Sequence, residues 1–301
     1  MEEAYITATP STRMARVKGD LILLVTAIIW GSAFAAQRVA AQGGGVFLFN
    51  GSRFVLGALV LLVFIRFRWK LERSSLRWVV LGGLLLFGAS SLQQAGMVYT
   101  TAGNAGFITS TYVALVPLML LVFWRQKIGW NSWVAAAAAL AGTLLLSTGG
   151  GLELKPGDAL EFAGAFLWAG HLILISRIIG KVDVLQFSIG QYLVCGMLNL
   201  MVGVMFEGHT LPALVRDWWA IAYTGILSVG LGYTLQAIGQ RTAPATDASI
   251  ILGMEAVFAV VFGAIFLGEL LSPVQLSGCG LIFLGIILTQ AYGSKTAAEV
   301  R

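Results

Sequence analysis

Two charged side chains stand deep inside apolar stretches of this 301-residue chain: Arg53, in the run that opens near Phe47, and Glu255, in the run that follows Pro244. A charge at mid-bilayer costs about 2.5–3.5 kcal/mol on insertion scales, so each asks for a chemical reason. Glu255 lies eleven residues into its segment, about 16 Å deep at a helical rise of about 1.5 Å per residue. A carboxylate there can receive a substrate amine, carry a coupling proton, or pair with Arg53. Arg53 can clamp a substrate carboxylate through two parallel N–H bonds, or serve as an interhelical partner or a snorkelling side chain. His171 is the one histidine inside an apolar run, which makes it either a proton relay or a structural residue satisfied by its neighbours.

Neutral groups form a second set. Gln94 and Gln236 fall at near-equivalent places in two runs, and Gln191 matches Arg53 in the duplication described below; all three are expected to face a central cavity. Gln93, Asn104, Asn199 and Gln240 share the same choice between gluing helices together and lining a hollow. Trp30, Trp168, Tyr112, Tyr192 and Tyr233 are candidate aromatic walls, with plain packing as the alternative. Arg38 reads as a snorkelling side chain. Asp158, Glu161 and Asp247 lie near segment starts, where a solvated carboxylate is favoured by the helix dipole.

The elements that must position these groups are membrane spans. From Arg77 to Arg125 no Asp, Glu, Lys or Arg intervenes over forty-seven residues. As helix that run is roughly 70 Å long, more than twice a hydrocarbon core of about 30 Å. It must cross, turn near residues 100–104 and return. The whole chain is 58% hydrophobic and 11% charged, with a mean hydropathy of +0.86, where soluble domains carry about 25% charged residues. Ten spans follow, at 20–41, 47–66, 77–98, 103–124, 130–148, 158–179, 184–206, 217–239, 244–267 and 273–293. The first nineteen residues are polar, and the apolar run after them is long enough to stay as a helix rather than be removed as a signal.

Fifteen of the nineteen basic residues fall on one side of this threading, against Lys155 and Arg216 on the other. Positive charge is retained in the cytoplasm, so both termini are expected there. The net charge of +5 is thus a topology signal and needs no nucleic-acid partner. Cys195 and Cys279 sit in apolar runs and read as buried thiols. No Gly-Lys-Ser/Thr phosphate loop occurs, which excludes direct ATP hydrolysis. Neither a His-Glu-x-x-His zinc helix nor paired intramembrane aspartates occur, which argues against an intramembrane enzyme. No cofactor is expected. Pro117 is expected to kink the fourth span.

Five spans look like a copy of the other five. A shift of 138 residues sets Gly19-Asp20 on Gly157-Asp158, Trp30 on Trp168, Phe49 on Phe187, and Arg53-Phe54 on Gln191-Tyr192. With small gaps, Thr101-Ala102 then falls on Thr242-Ala243. An odd number of spans per unit inverts the second copy, and inverted repeats place a substrate site near the midplane between the halves.

With these residues in view the chain resembles the drug/metabolite transporter superfamily, and within it the EamA-type permeases, from about residue 20 to 292. The carriers are Gly19-Asp20 leading to Trp30-Gly31-Ser32-Ala33-Phe34, then Ser52-Arg53-Phe54, and residues 101–109 running to Tyr112 and Pro117. The second half repeats them at Gly157-Asp158, Trp168-Ala169, Ala243 to Glu255, and Leu267-Gly268-Glu269. The resemblance implies an all-α integral membrane carrier with ten transmembrane helices in two inverted five-helix repeats. They are expected at residues 20–148 and 157–293, flanked by cytoplasmic tails at 1–19 and 294–301. It further implies a bacterial inner-membrane exporter of small metabolites. Two departures touch the ninth-span kink and the loop after the fourth span. Ala256 follows Glu255 where the family often has Pro, and Trp124-Arg125-Gln126 stands where a Gly-Glu pair is usual.

The expected function is therefore secondary transport of a small, partly apolar solute through lipid, driven by a proton gradient or by exchange, with no oligomeric state implied. An intramembrane enzyme and a non-transporting sensor are the alternatives. Arg53 with Glu255 points toward a zwitterion such as an amino acid.

Overall fold

The computed structural model describes residues 13–43, 45–100, 102–148, 156–267 and 272–296. Among them there is no strand. In lipid the backbone has no water to bond, so a segment that enters must satisfy its own N–H and C=O groups, and a helix does so within itself. The first half comprises α1 (Arg13–Gln42), α2 (Phe47–Phe64), α3 (Arg73–Tyr99), α4 (Ala102–Ser110), α5 (Tyr112–Trp124) and α6 (Trp130–Thr148). The second comprises α7 (Pro156–Ile178), α8 (Val184–Phe206), α9 (Leu211–Arg216), α10 (Trp218–Tyr223), a π-helical stretch (Thr224–Tyr233), α11 (Thr234–Gly239), α12 (Ala245–Leu252), α13 (Glu255–Leu267) and α14 (Pro273–Thr296).

Eight helical segments among the described residues are long and apolar enough to cross a membrane. The fifth and tenth expected spans appear as the shorter apolar stretches Trp130–Leu146 and Pro273–Leu288. The protein is thus a multi-pass membrane protein. Its first helix starts earlier than the expected tail boundary, because Arg16 pairs with Asp20 one turn on and reaches Asp247 Oδ2 at 2.6 Å. Gly268-Glu269, read as the close of the ninth span, lies outside the described residues.

The two halves interlock reciprocally. α1 packs on the π stretch, α11, α12 and α13, while α7 packs on α3, α4 and α5. α2 lies against α8, and α6 against α14. Lipid removes the hydrophobic drive for helix association, so close approach at small residues takes its place. Two crossings show this. A Cβ built on Gly157 would lie 2.2 Å from the Gly96 carbonyl oxygen, and one on Gly239 would lie 3.0 Å from that of Gly19. The residue one turn on fills the matching place in each: Glu161 against Gly96, Leu23 against Gly239. The loop after α8 supplies a third tie. The Glu207 carboxylate accepts the backbone N–H groups of Val46, Phe47 and Leu48 at 2.8–3.0 Å, capping α2 from 160 residues away.

The fourth span is broken, though not at Pro117. The break lies at Thr111, whose hydroxyl and N–H both go to the Ile108 carbonyl at 2.6 and 3.1 Å. Such hydroxyl back-bonding displaces the regular ladder. Pro117 then sits inside the restarted α5. The ninth span breaks at the corresponding place without a proline. There Met254 N–H bonds Ile251 and Ala256 N–H bonds Gly253, a tighter three-residue spacing around Gly253. The π stretch in the eighth span is the third irregularity, of a kind that recurs at functional sites.

Candidate functional site

Tyr112 is the first residue of α5 and Glu255 the first of α13, so each broken helix restarts with a polar side chain. The Tyr112 hydroxyl donates to Glu255 Oε1 at 2.9 Å, joining the two halves at their matching breaks. An interhelical hydrogen bond in a membrane averages about 0.6 kcal/mol, well short of the about 2.5–3.5 kcal/mol that a central carboxylate costs. That single bond does not by itself offset the cost of a charged carboxylate there.

A narrow hollow of about 30 Å³ opens beside this pair. Glu255, Tyr112 and Arg53 line it from three helices. Arg53 is 2% exposed. Its Nε donates to Asn50 Oδ1 at 2.9 Å and its Nη1 to Gln37 Oε1 at 2.7 Å, while Nη2 has no hydrogen-bond partner. No carboxylate of the described residues pairs with it, so the expected option of an Arg53–Glu255 ion pair is not realised. Snorkelling is ruled out by burial.

The aromatic wall is continuous. Tyr233 stacks on Trp168 at 5.8 Å between ring centres and 15° between planes, and Trp30 leans on Tyr233 at 4.7 Å. All three line the hollow. The duplicated tryptophans differ in their polar ends. Trp30 Nε1 donates to the Ser228 carbonyl in the π stretch at 3.1 Å, whereas Trp168 Nε1 is buried without a partner. His171 and Gln236 complete the expected set at the wall. His171 Nε2 faces Gln191 Oε1 at 2.9 Å. Gln236 Nε2 donates to Gln240 Oε1 at 3.1 Å and its Oε1 is bare.

Three expected residues stand one layer back. Gln94 donates to the Gln37 carbonyl at 3.1 Å, Gln191 holds His171, and Tyr192 bonds Thr234 Oγ1 at 3.1 Å. All three are completely buried. They support wall residues instead of facing the hollow, because each is turned toward a neighbouring helix. In their place the wall has Phe34, Gln37, Gln93, Thr109, Leu172 and Ser228. Gln93 takes the lining side of the choice left open for it, and a signal for Gln37 was available, since an amide within an apolar run is as unusual there.

The acids expected at water are also inside. Glu161 is 0% exposed and accepts from Thr109 Oγ1 at 3.0 Å; Asp158 accepts from Thr100 Oγ1 at 2.6 Å; Asp247 holds Arg16. Reciprocal packing of α7 on α3 and α1 on α12 covers these helix starts. Arg38 is half-buried, and its guanidinium donates to the Met97 carbonyl in the last turn of α3. Among the described residues no group of His, Cys, Asp or Glu could hold a metal ion.

Comparison with known proteins agrees with this architecture. The family model of the EamA-like transporter family matches twice, over residues 17–148 and 155–290. A transporter of Archaeoglobus fulgidus is 30% identical over 277 residues, covering 91% of this chain and 86% of its own. The Escherichia coli inner membrane transporter YedA is 30% identical over 273 residues and 87% of each chain. A solved crystal structure superposes with a TM-score of 0.76 over 94% of this chain and 99% of its own; at 19% identity it speaks to fold alone.

Proposed function

Because this chain belongs to the EamA-like transporter family, we propose that it is a secondary transporter exporting small amphipathic metabolites, such as amino acids or related compounds, across the bacterial inner membrane by alternating access. In this reading ten spans form two inverted five-helix repeats with both termini in the cytoplasm, and the hollow between them opens to each face in turn. The observation that carries it is the juxtaposition around that hollow of Arg53, whose buried Nη2 has no hydrogen-bond partner, the Glu255–Tyr112 pair and an aromatic wall. A guanidinium with an unused N–H suits a carboxylate. Stacked rings suit a planar or apolar body. One carboxyl can serve one positive charge at a time, so Glu255 exchanges a substrate amine for a proton, which couples solute movement to the proton gradient.

Purified protein in liposomes tests this directly, with amino acids, nucleosides and cationic drugs first screened for thermal stabilisation. Glu255→Gln should abolish pH-driven flux in a folded protein; normal, pH-independent flux would reject the coupling role. Arg53→Ala should weaken acidic and zwitterionic solutes by about 10-fold or more while sparing cations. An equal loss for all would indicate damaged packing. For orientation, a cysteine replacing the exposed Gly208 should react with an impermeant thiol reagent outside intact cells, and one replacing Ser74 should not.

A further inference from the structure

Glu161 takes no place in the wall of the hollow, yet it is completely buried and linked to it. Its Oε2 accepts from Thr109 Oγ1 at 3.0 Å, and Thr109 accepts from Gln93 Nε2 at 3.1 Å. Thr109 and Gln93 both line the hollow. Glu161 Oε1 has no hydrogen-bond partner. A buried carboxylate with a bare oxygen is costly as an anion, and no Lys, Arg or His of the described residues lies within ion-pair distance.

The other titratable groups on the elements around it are engaged or turned away. Asp158, one turn earlier on α7, accepts from Thr100. On α3, Tyr99 is 60% exposed and Arg73 and Arg77 lie at the far end of the helix. Tyr112 of α5 donates to Glu255, Asp247 of α12 holds Arg16, and Arg38 of α1 is engaged by the Met97 carbonyl. The matching crossing in the other half uses Leu23, so the packing itself asks for no acid.

We propose that Glu161 is a second proton-binding site of the transporter, loaded when α7 closes on α3 and emptied to water when that crossing opens. On opening, the carboxyl O–H breaks, the electron pair stays on the carboxylate and the proton passes to water; closing reverses the step. The Thr109–Gln93 chain makes the state of this carboxyl felt at the wall of the hollow. The inference rests on the transport reading for its purpose, and its test needs no substrate.

Infrared difference spectra of the full chain in phospholipid vesicles, titrated from about pH 5 to about pH 9, report protonated carboxyls by their C=O stretch. Wild type and Glu255→Gln should share a titrating band that Glu161→Gln and Glu161→Leu both lack. The Gln variant keeps an acceptor for Thr109, and the Leu variant copies the side chain that already fills the matching crossing, so a folded sample is available either way. Thr109→Val should keep the band and move it to higher frequency. Every titrating band retained in the two Glu161 variants, or no such band in wild type, overturns the proposal. Loss of pH-driven flux in Glu255→Gln is a separate readout, so failure of the transport reading is distinguished from failure here.

Discussion

The crossing of α7 with α3 and the crossing of α1 with α11 are both built on paired glycines but differ in the side chain one turn on. Gly157 meets Gly96 in the one and Gly19 meets Gly239 in the other, with Glu161 or Leu23 on the next turn. Leucine fills its place without a polar atom. Glutamate fills the equivalent place and leaves an oxygen bare. Shape is therefore common to both copies, and the acid is an addition to it. The hollow repeats this lesson: Arg53 occupies in α2 the position that Gln191 occupies in α8, and only the former carries charge to the wall. Duplication supplied a symmetric frame, and these two charged side chains lie where the copies have parted.

The strongest way to break this comparison is to exchange the differing residues. Leu23→Glu buries a carboxylate without a partner and should cost about 3 kcal/mol or more, read as lower thermal stability in detergent, whereas Glu161→Leu should be neutral or stabilising. Equal tolerance of both would mean that the two crossings impose different packing after all. A smaller effect comes from the glycines. Gly157→Ala drives a Cβ to 2.2 Å from the Gly96 carbonyl oxygen, while at Gly19 the nearest atom, at 2.0 Å, is the Thr242 hydroxyl, which can rotate aside. We expect about 1–3 kcal/mol lost at Gly157 and a smaller loss at Gly19. Equal melting shifts would sink that ordering. The smallest effect concerns a helix end. Arg125 closes α5 with φ 53°, in the left-handed region, and Gln126 N–H reaches back to the Leu120 carbonyl at 3.1 Å. A side chain there is strained, so Arg125→Gly should raise stability by up to about 1 kcal/mol. A drop in melting temperature would show that the Arg125 side chain contributes more than its backbone strain removes.

Much of this frame was legible from residues alone. Charge-free runs set the spans, and Trp30, Trp168 and the two Gly-Asp pairs exposed the duplication. Glu255 and Arg53 were conspicuous because a charge in lipid is costly. What escaped was direction around the helix axis. In spans apolar on nearly every side, nothing in composition tells Gln93, which faces the hollow, from Gln94, which faces α1. Burial of Glu161 escaped for a related reason. Its distance from the segment start suggests water, but Gly96 lets α3 come close enough to cover it. The break at Thr111, six residues before Pro117, also carried no conspicuous sequence signal.

The cap that Glu207 places on α2 bears on the order of synthesis. Three N–H groups at Val46, Phe47 and Leu48 wait for a carboxylate that the ribosome adds some 160 residues later. During that interval the first turn of α2 lacks this cap, worth about 0.5–2 kcal/mol, and the first half expressed by itself would lack it throughout.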